Sequence, residues 1–100
     1  MIMYLESYKN RISNLCKQYN VKSLYVFGSV LTDRFSAESD IDMIVAFKQM
    51  PIENYVDNYF DLKFTLQDIL KRPVDLLEEQ AIHNPYFLQN INRTKQLIYG

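Results

Sequence analysis

Hydrophobic residues recur at three- and four-residue steps in several parts of the chain, which predicts helices. The first such pattern predicts an amphipathic helix over residues 3–19, with Asn20 as its stop. A second covers residues 53–70, and Pro73 prevents the helix from continuing. A brief helix is predicted to begin near Pro85, a residue that suits the first helical turn.

Between these helices lie short apolar runs rich in β-forming residues, which predict strands. Residues 23–27 are almost continuously apolar, as expected for a strand covered on both faces. Residues 41–47 and 74–77 predict two more strands, and residues 96–99 predict an edge strand. Residues 30–39 predict a short helical turn followed by a loop. The alternation predicts an α/β (α+β) fold in which helices flank a small mixed sheet.

Composition bounds the size of the fold and the kinds of partner. A chain of 100 residues with 48% hydrophobic residues predicts a single domain over residues 1–100 with its own core. The net charge of −1 argues against a dedicated nucleic-acid surface. No signal peptide or membrane-spanning run is visible, so a cytoplasmic location without a membrane partner is expected. The only cysteine, Cys16, lies on an apolar helical face and is predicted to be a buried thiol.

The most informative motif is a Gly28-Ser29 pair followed, after a ten-residue spacer, by Asp40-Ile41-Asp42. On a strand, the spacing of Asp40 and Asp42 places both carboxylates on one face, where they repel each other unless a cation lies between them. A turn made of glycine and serine lets backbone N–H groups approach an anion closely. A divalent metal ion beside a phosphate-binding turn is typical of phosphoryl or nucleotidyl transfer.

Asp75 extends this site, because it interrupts the otherwise apolar strand Val74-Asp75-Leu76-Leu77. Acidic residues are rare in strands, and an unpaired buried carboxylate is costly. If this strand lies beside the strand of Asp40 and Asp42, the three carboxylates converge. Three converging carboxylates would suit a two-metal site, in which one ion activates the attacking oxygen and the other stabilises the leaving group.

These motifs resemble the signature of the nucleotidyltransferase β-like superfamily, and the chain length is similar to that of its minimal nucleotidyltransferase branch. The resemblance implies a nucleotidyltransferase fold and a metal site with two Mg²⁺ ions. Asp40 and Asp42 would hold Mg²⁺, and Asp75 would be a third ligand or the base for the incoming hydroxyl. Gly28 and Ser29 would contact the nucleotide phosphates.

The sequence departs from the minimal branch just after the Gly-Ser pair. Many members of that branch follow the pair with a small residue, an arginine that contacts the triphosphate, and a glycine. Here Thr32 occupies the arginine position. Arg34 is close enough in sequence to replace that arginine if the local turn directs it inward.

The resemblance also implies the reaction and the partner. Members of the minimal branch include antitoxins that transfer AMP from ATP to a tyrosine of an all-helical ribonuclease toxin of the HEPN class. By this resemblance the chain would be a protein adenylyltransferase that binds ATP or another nucleoside triphosphate and acts as an antitoxin. The chain has no residues to spare for an acceptor-binding domain, so the acceptor is expected to be a separate macromolecule.

Other readings of the same motifs remain open. The chain could be a non-catalytic module that binds a nucleotide or partner and works as a stoichiometric antitoxin. Transfer to a small molecule is a third reading, which would need a further domain or a homodimer to build the acceptor site. The substitution Asp42→Asn distinguishes the first two, because a catalyst loses its biological effect and a stoichiometric binder keeps most of it.

Overall fold

The computed structural model of the protein describes residues 3–32, 36 and 38–100. Within these residues four helices and four strands follow one another in a mixed α/β order, together with two short 3₁₀ turns. The helices are α1 (Met3–Glu6), α2 (Lys9–Gln18), α3 (Ile52–Leu70) and α4 (Pro85–Thr94), and the strands are β1 (Val21–Phe27), β2 (Ile41–Phe47), β3 (Val74–Glu78) and β4 (Gln96–Tyr99).

The strands of the described residues form one mixed sheet in the order β3-β2-β1-β4. β2 and β3 are parallel, and α3 supplies the crossover that a parallel pair requires. β1 is antiparallel to both of its neighbours, β2 and β4. The prediction of a small mixed sheet flanked by helices is therefore confirmed. β3 and β4 are the edge strands, so the strand that carries Asp75 has one free edge.

One face of the sheet carries the hydrophobic core. α2 packs on β1 and β4, α3 packs on β3, and the two helices contact each other. Each helix buries three residues in this layer: Ile12, Leu15 and Cys16 from α2, and Leu62, Leu66 and Leu70 from α3. Cys16 is fully buried, as predicted, and burial raises the pKa of its thiol to about 12.

Several predicted boundaries agree with the structure, but the first helix does not. β2 and β4 have the predicted limits, and the predicted second helix begins at Ile52, one residue early. The single helix predicted over residues 3–19 is wrong, because it is divided at Ser7 and Tyr8. There the N–H of Tyr8 donates to the carbonyl of Leu5 three residues back, which makes a tight turn in place of the α-helical pattern.

The helix ends follow local backbone chemistry. Asn20 and Lys71, which follow α2 and α3, adopt the left-handed conformation with φ of 58° that commonly ends a helix. Asn84 caps α4, because its side-chain oxygen accepts hydrogen bonds from the N–H groups of Tyr86 and Phe87. Among the described residues, none of the helices is long and apolar enough to span a membrane.

Candidate active site

Two carboxylates lie side by side where β2 begins beside β3, and a third lies just before β2. Asp42 and Asp75 are register partners in these adjacent parallel strands, so their side chains lie side by side on the same face of the sheet. The N–H of Ile41 donates to the carbonyl of Pro73 at 3.0 Å, which fixes this register at the start of both strands. Asp40 precedes β2 by one residue. The strand adjacency that convergence of the acids requires is therefore present.

The acids differ in burial. Asp42 is partly buried, whereas Asp40 and Asp75 are exposed. Asp75 lies within β3, as predicted, and its side chain points away from the core. Its neighbours Val74 and Leu76 do point into the core.

The carboxyl of Asp42 is affected both by burial and by the negative charges of its neighbours. Burial raises the pKa of the Asp42 carboxyl above its usual range, and the charges of Asp75 and then Asp40 raise it further. Each of these effects disfavours the ionised form of Asp42. A cation bound among the three groups would reverse the effect of the like charges.

The donor chemistry of these side chains fits a divalent cation. Carboxylate oxygens are the ligands that hard divalent ions prefer. Over residues 3–32, 36 and 38–100, however, no three carboxylate, imidazole or thiol groups are arranged as a complete ligand set. Asp40 and Asp75 are exposed and have room to change rotamer. The chemistry of these side chains therefore fits such an ion, and a complete ligand set would require Asp40 or Asp75 to change rotamer.

Gly28 lies directly against the carboxylate of Asp42. A β-carbon at this position would come within 2.3 Å of Oδ2 of Asp42, and the φ of Gly28 is +77°. Only glycine satisfies both conditions without strain. Phe27, the residue before it, is the register partner of Asp42 on β1. The turn and the acidic strand are thus packed so closely that position 28 has no room for a side chain.

The Gly-Ser turn opens a short 3₁₀ helix, Gly28–Leu31, which is closed by a hydrogen bond from the N–H of Thr32 to the carbonyl of Ser29. A hollow of about 590 Å³ adjoins this turn, within the usual range for a small-molecule site. Its lining consists of Gly28, Ser29, Leu31, Thr32, Thr94 and Gln96. Gly28 therefore both contacts the carboxylate of Asp42 and lines this hollow.

Comparison with known proteins shows which family the chain belongs to. Residues 10–100 match the model of the family described as polymerase beta, nucleotidyltransferase. The chain belongs to this nucleotidyltransferase family. The match covers every strand of the described sheet, together with Gly28, Ser29 and the three aspartates. The family resemblance inferred from the sequence is confirmed.

Relatives of this nucleotidyltransferase include a protein of Methanocaldococcus jannaschii described as a candidate protein adenylyltransferase. The two are 39% identical over 85 residues, which cover 85% of this chain and 82% of the relative. A solved structure of a candidate minimal nucleotidyltransferase shares the fold, with a TM-score of 0.79 at 24% identity over 95% of this chain and 93% of the other.

A toxin–antitoxin assembly has the same fold in one of its chains. It is described as a tri-AMPylated HEPN toxin of Shewanella oneidensis in complex with an MNT antitoxin. The TM-score is 0.66 at 20% identity, covering 95% of this chain and 71% of that chain. At this level of identity the likeness establishes the shared fold of the nucleotidyltransferase domain.

The structure describes Thr32, at the position of the usual arginine, but does not describe Arg34, the candidate replacement. The hydroxyl of Thr32, at the usual arginine position, donates to the carbonyl of Ser29 at 2.9 Å. This side chain bonds back onto the Gly-Ser turn and carries no charge. Arg34 lies outside the described residues, so its predicted role stays a prediction.

Arg72 is a site residue that the sequence pattern did not reveal. It lies between α3 and β3, and its guanidinium reaches the loop before Asp40. One nitrogen, Nη1, donates to the carbonyls of Ser36 at 2.6 Å and Ser39 at 3.0 Å. Arg72 therefore ties the residue next to Asp40 to the strand that carries Asp75. The sequence does place this cation three residues before Asp75, but its contact with the loop forms only in the folded chain.

Proposed function

We propose that the chain is a metal-dependent protein adenylyltransferase that transfers AMP from ATP to a hydroxyl of a partner protein and acts as an antitoxin. The observation that supports it best is the packing of Gly28 against Asp42, whose register partner is Asp75, because the Gly-Ser turn is then adjacent to paired carboxylates. The described relative and the toxin–antitoxin neighbour favour a protein acceptor, with a tyrosine of a HEPN-type ribonuclease toxin as the leading candidate.

Asp40 and Asp42 would hold the metal ions, with Mg²⁺ as the expected ion. When bound, two such ions neutralise the triphosphate and the developing charge of the leaving group. Backbone N–H groups of Gly28 and Ser29 would donate to phosphate oxygens, because both residues line the open hollow. The hollow beside the turn has room for the nucleoside.

The reaction we propose is a single displacement at phosphorus. The acceptor hydroxyl attacks the α-phosphorus of ATP, forming a new P–O bond while the bond to the β-phosphate oxygen breaks and pyrophosphate leaves. Asp75 would accept the hydroxyl proton, because its exposed position on the edge strand leaves it open to an approaching acceptor.

Label transfer tests this function. Purified protein, Mg²⁺ and ATP labelled at the α-phosphate are added to a lysate of the source cells. A macromolecule should become labelled with the wild type and not with Asp40→Asn/Asp42→Asn. The matched control Glu6→Gln/Glu79→Gln removes two exposed acids outside the site and should label normally. ATP labelled at the γ-phosphate should give no label, which separates AMP transfer from phosphorylation.

A second candidate is a stoichiometric binding module, which the uncharged Thr32 side chain favours because it removes a triphosphate contact. No labelling by a folded wild type with any of the four nucleotides would support this candidate. Preservation of the antitoxin effect in Asp42→Asn would do the same.

A further inference from the structure

The outer side of α3 carries an apolar ridge with one residue per helical turn. Ile52, Val56, Phe60 and Phe64 recur at four-residue intervals and are 85%, 58%, 43% and 53% exposed. Residues four apart lie next to each other on a helix, so the ridge is continuous over about 18 Å. Such a contiguous apolar surface usually marks an interaction site.

The aromatic part of the ridge is held in place by its neighbours. The ring of Phe60 stacks on Phe64 at 5.8 Å between centroids and meets Tyr59 edge-to-face at 5.1 Å. The hydroxyl of Tyr59 donates in turn to the backbone carbonyl of Leu76 in β3. Rings restrained in this way lose little conformational freedom when a partner covers them.

A row of acids runs beside the ridge. Glu53, Asp57 and Asp61 each follow a ridge residue by one position, and all three are exposed. On the other side of the ridge lie Tyr55, Tyr59 and the partly buried Lys63. The surface is thus apolar along its centre and negative along one border, and its natural complement is apolar with a positive border.

We propose that this ridge docks an amphipathic helix of a partner protein whose apolar face is bordered by lysine or arginine. A second copy of the chain fits less well, because antiparallel pairing of two ridges would bring the two acidic rows to the same side. This inference rests on the proposed function, because that function requires a partner protein. Since Tyr59 joins α3 to edge strand β3, a docked partner would lie along the edge that carries Asp75.

The test uses two synthetic helical peptides of about 16 residues, long enough to follow the whole ridge. Both carry leucine at four-residue intervals; one has a lysine border and the other a glutamate border. Binding to the full chain is measured by fluorescence anisotropy without nucleotide, so that loss of catalysis cannot affect the result. The lysine-bordered peptide should bind at least about tenfold more tightly than the glutamate-bordered one.

Three variants assign the binding to the ridge. Phe60→Ser/Phe64→Ser should weaken binding of the lysine-bordered peptide at least about tenfold. The control Tyr86→Ser, which removes an aromatic ring that is 81% exposed on α4, should bind as the wild type does. Asp57→Lys/Asp61→Lys should reverse the preference in favour of the glutamate-bordered peptide. Circular dichroism melting confirms that each variant is folded.

Several outcomes would overturn the docking proposal while leaving the proposed function intact. These are no binding of the lysine-bordered peptide at about 1 mM, or equal binding by wild type and Phe60→Ser/Phe64→Ser. A dimer in sedimentation equilibrium that the same double variant dissolves would assign the ridge to a second copy. Loss of label transfer with retained peptide binding would instead contradict the proposed function alone.

Discussion

At the scale of single residues, Gly28 determines how closely the Gly-Ser turn approaches the acids. Alanine here would both strain the backbone, at a cost of roughly 1–2 kcal/mol for a left-handed residue, and press its β-carbon into Asp42. We expect Gly28→Ala to lower the stability to urea by at least this amount and to abolish AMP transfer.

A double-mutant cycle separates these two effects. In an Asp42→Ala background the carboxylate is absent, so Gly28→Ala should cost only the backbone strain. Additive losses of free energy of unfolding in the single and double variants would show that the contact with Asp42 contributes nothing.

Asp42 predicts a specific dependence of stability on pH. The pKa of its carboxyl is raised from the ordinary value of 3.8 by burial and by the charges of Asp75 and Asp40, so the folded state holds the proton more tightly than the unfolded chain does. The contribution of Asp42 to stability is therefore full below pH 3.8 and is lost as the pH rises through its folded pKa. In buffer with a metal chelator, Asp42→Asn should be more stable than the wild type at neutral pH.

Thermal unfolding from about pH 4 to 7 measures this difference, which should grow with pH. Glu79→Gln, an exposed acid outside the site, should show no such growth. Added Mg²⁺ should stabilise the wild type and not Asp42→Asn, because an ion that binds only the folded state raises its stability. A constant difference between wild type and Asp42→Asn over the whole range would contradict the pH prediction.

At the scale of elements, Arg72 connects the start of β3 to the loop before β2. Arg72→Lys keeps the charge but loses the guanidinium nitrogen Nη1, which donates to both loop carbonyls. We expect faster hydrogen exchange at Ser39 and Asp40 and a Mn²⁺ affinity weakened about tenfold, as is typical when support of a ligand is removed.

Calorimetric titration with Mn²⁺ and amide exchange measure the two effects of Arg72→Lys. Lys71→Gln, which removes the neighbouring cation, is the control and should behave as the wild type does. Unchanged exchange at Ser39 and Asp40 would show that Arg72 does not position this segment.

The elements also show which features the sequence determines locally. β2 and β4 could be predicted to the residue because their apolar runs end at turn-forming or polar residues. The division of the first helix could not, because a tight turn at Tyr8 leaves the spacing of apolar residues unchanged. The same limit applies to exposure: periodicity places Phe60 and Phe64 on α3, but only the packed fold shows that they face outward.

For the candidate site, the apolar runs around Asp42 and Asp75 were sufficient to predict two strands, and the structure places these two acids side by side. The supporting contacts were not predictable. Arg72 and Ser36 are 36 positions apart, and the contact between Gly28 and Asp42 depends on the register of β1 and β2. Such contacts arise from the pairing of strands, which the local pattern of residues does not encode.

At the scale of the whole molecule, Cys16 reports on opening of the core. It is fully buried in the layer between α2, α3 and the sheet, and burial raises the pKa of its thiol to about 12. Since the thiolate is the reactive form, two barriers protect it: lack of access and lack of ionisation. We expect negligible reaction with a thiol reagent in native buffer, and full reaction in denaturant.

The denaturant dependence of this labelling should coincide with the loss of helical circular dichroism, because Cys16 becomes accessible only when the helices separate from the sheet. A variant with a surface thiol, Asn14→Cys on the exposed side of α2, gives the rate for an accessible cysteine. Labelling of Cys16 well below the unfolding transition would show that α2 leaves the sheet in a local opening. In that case the core on this face of the sheet is not a single cooperative unit.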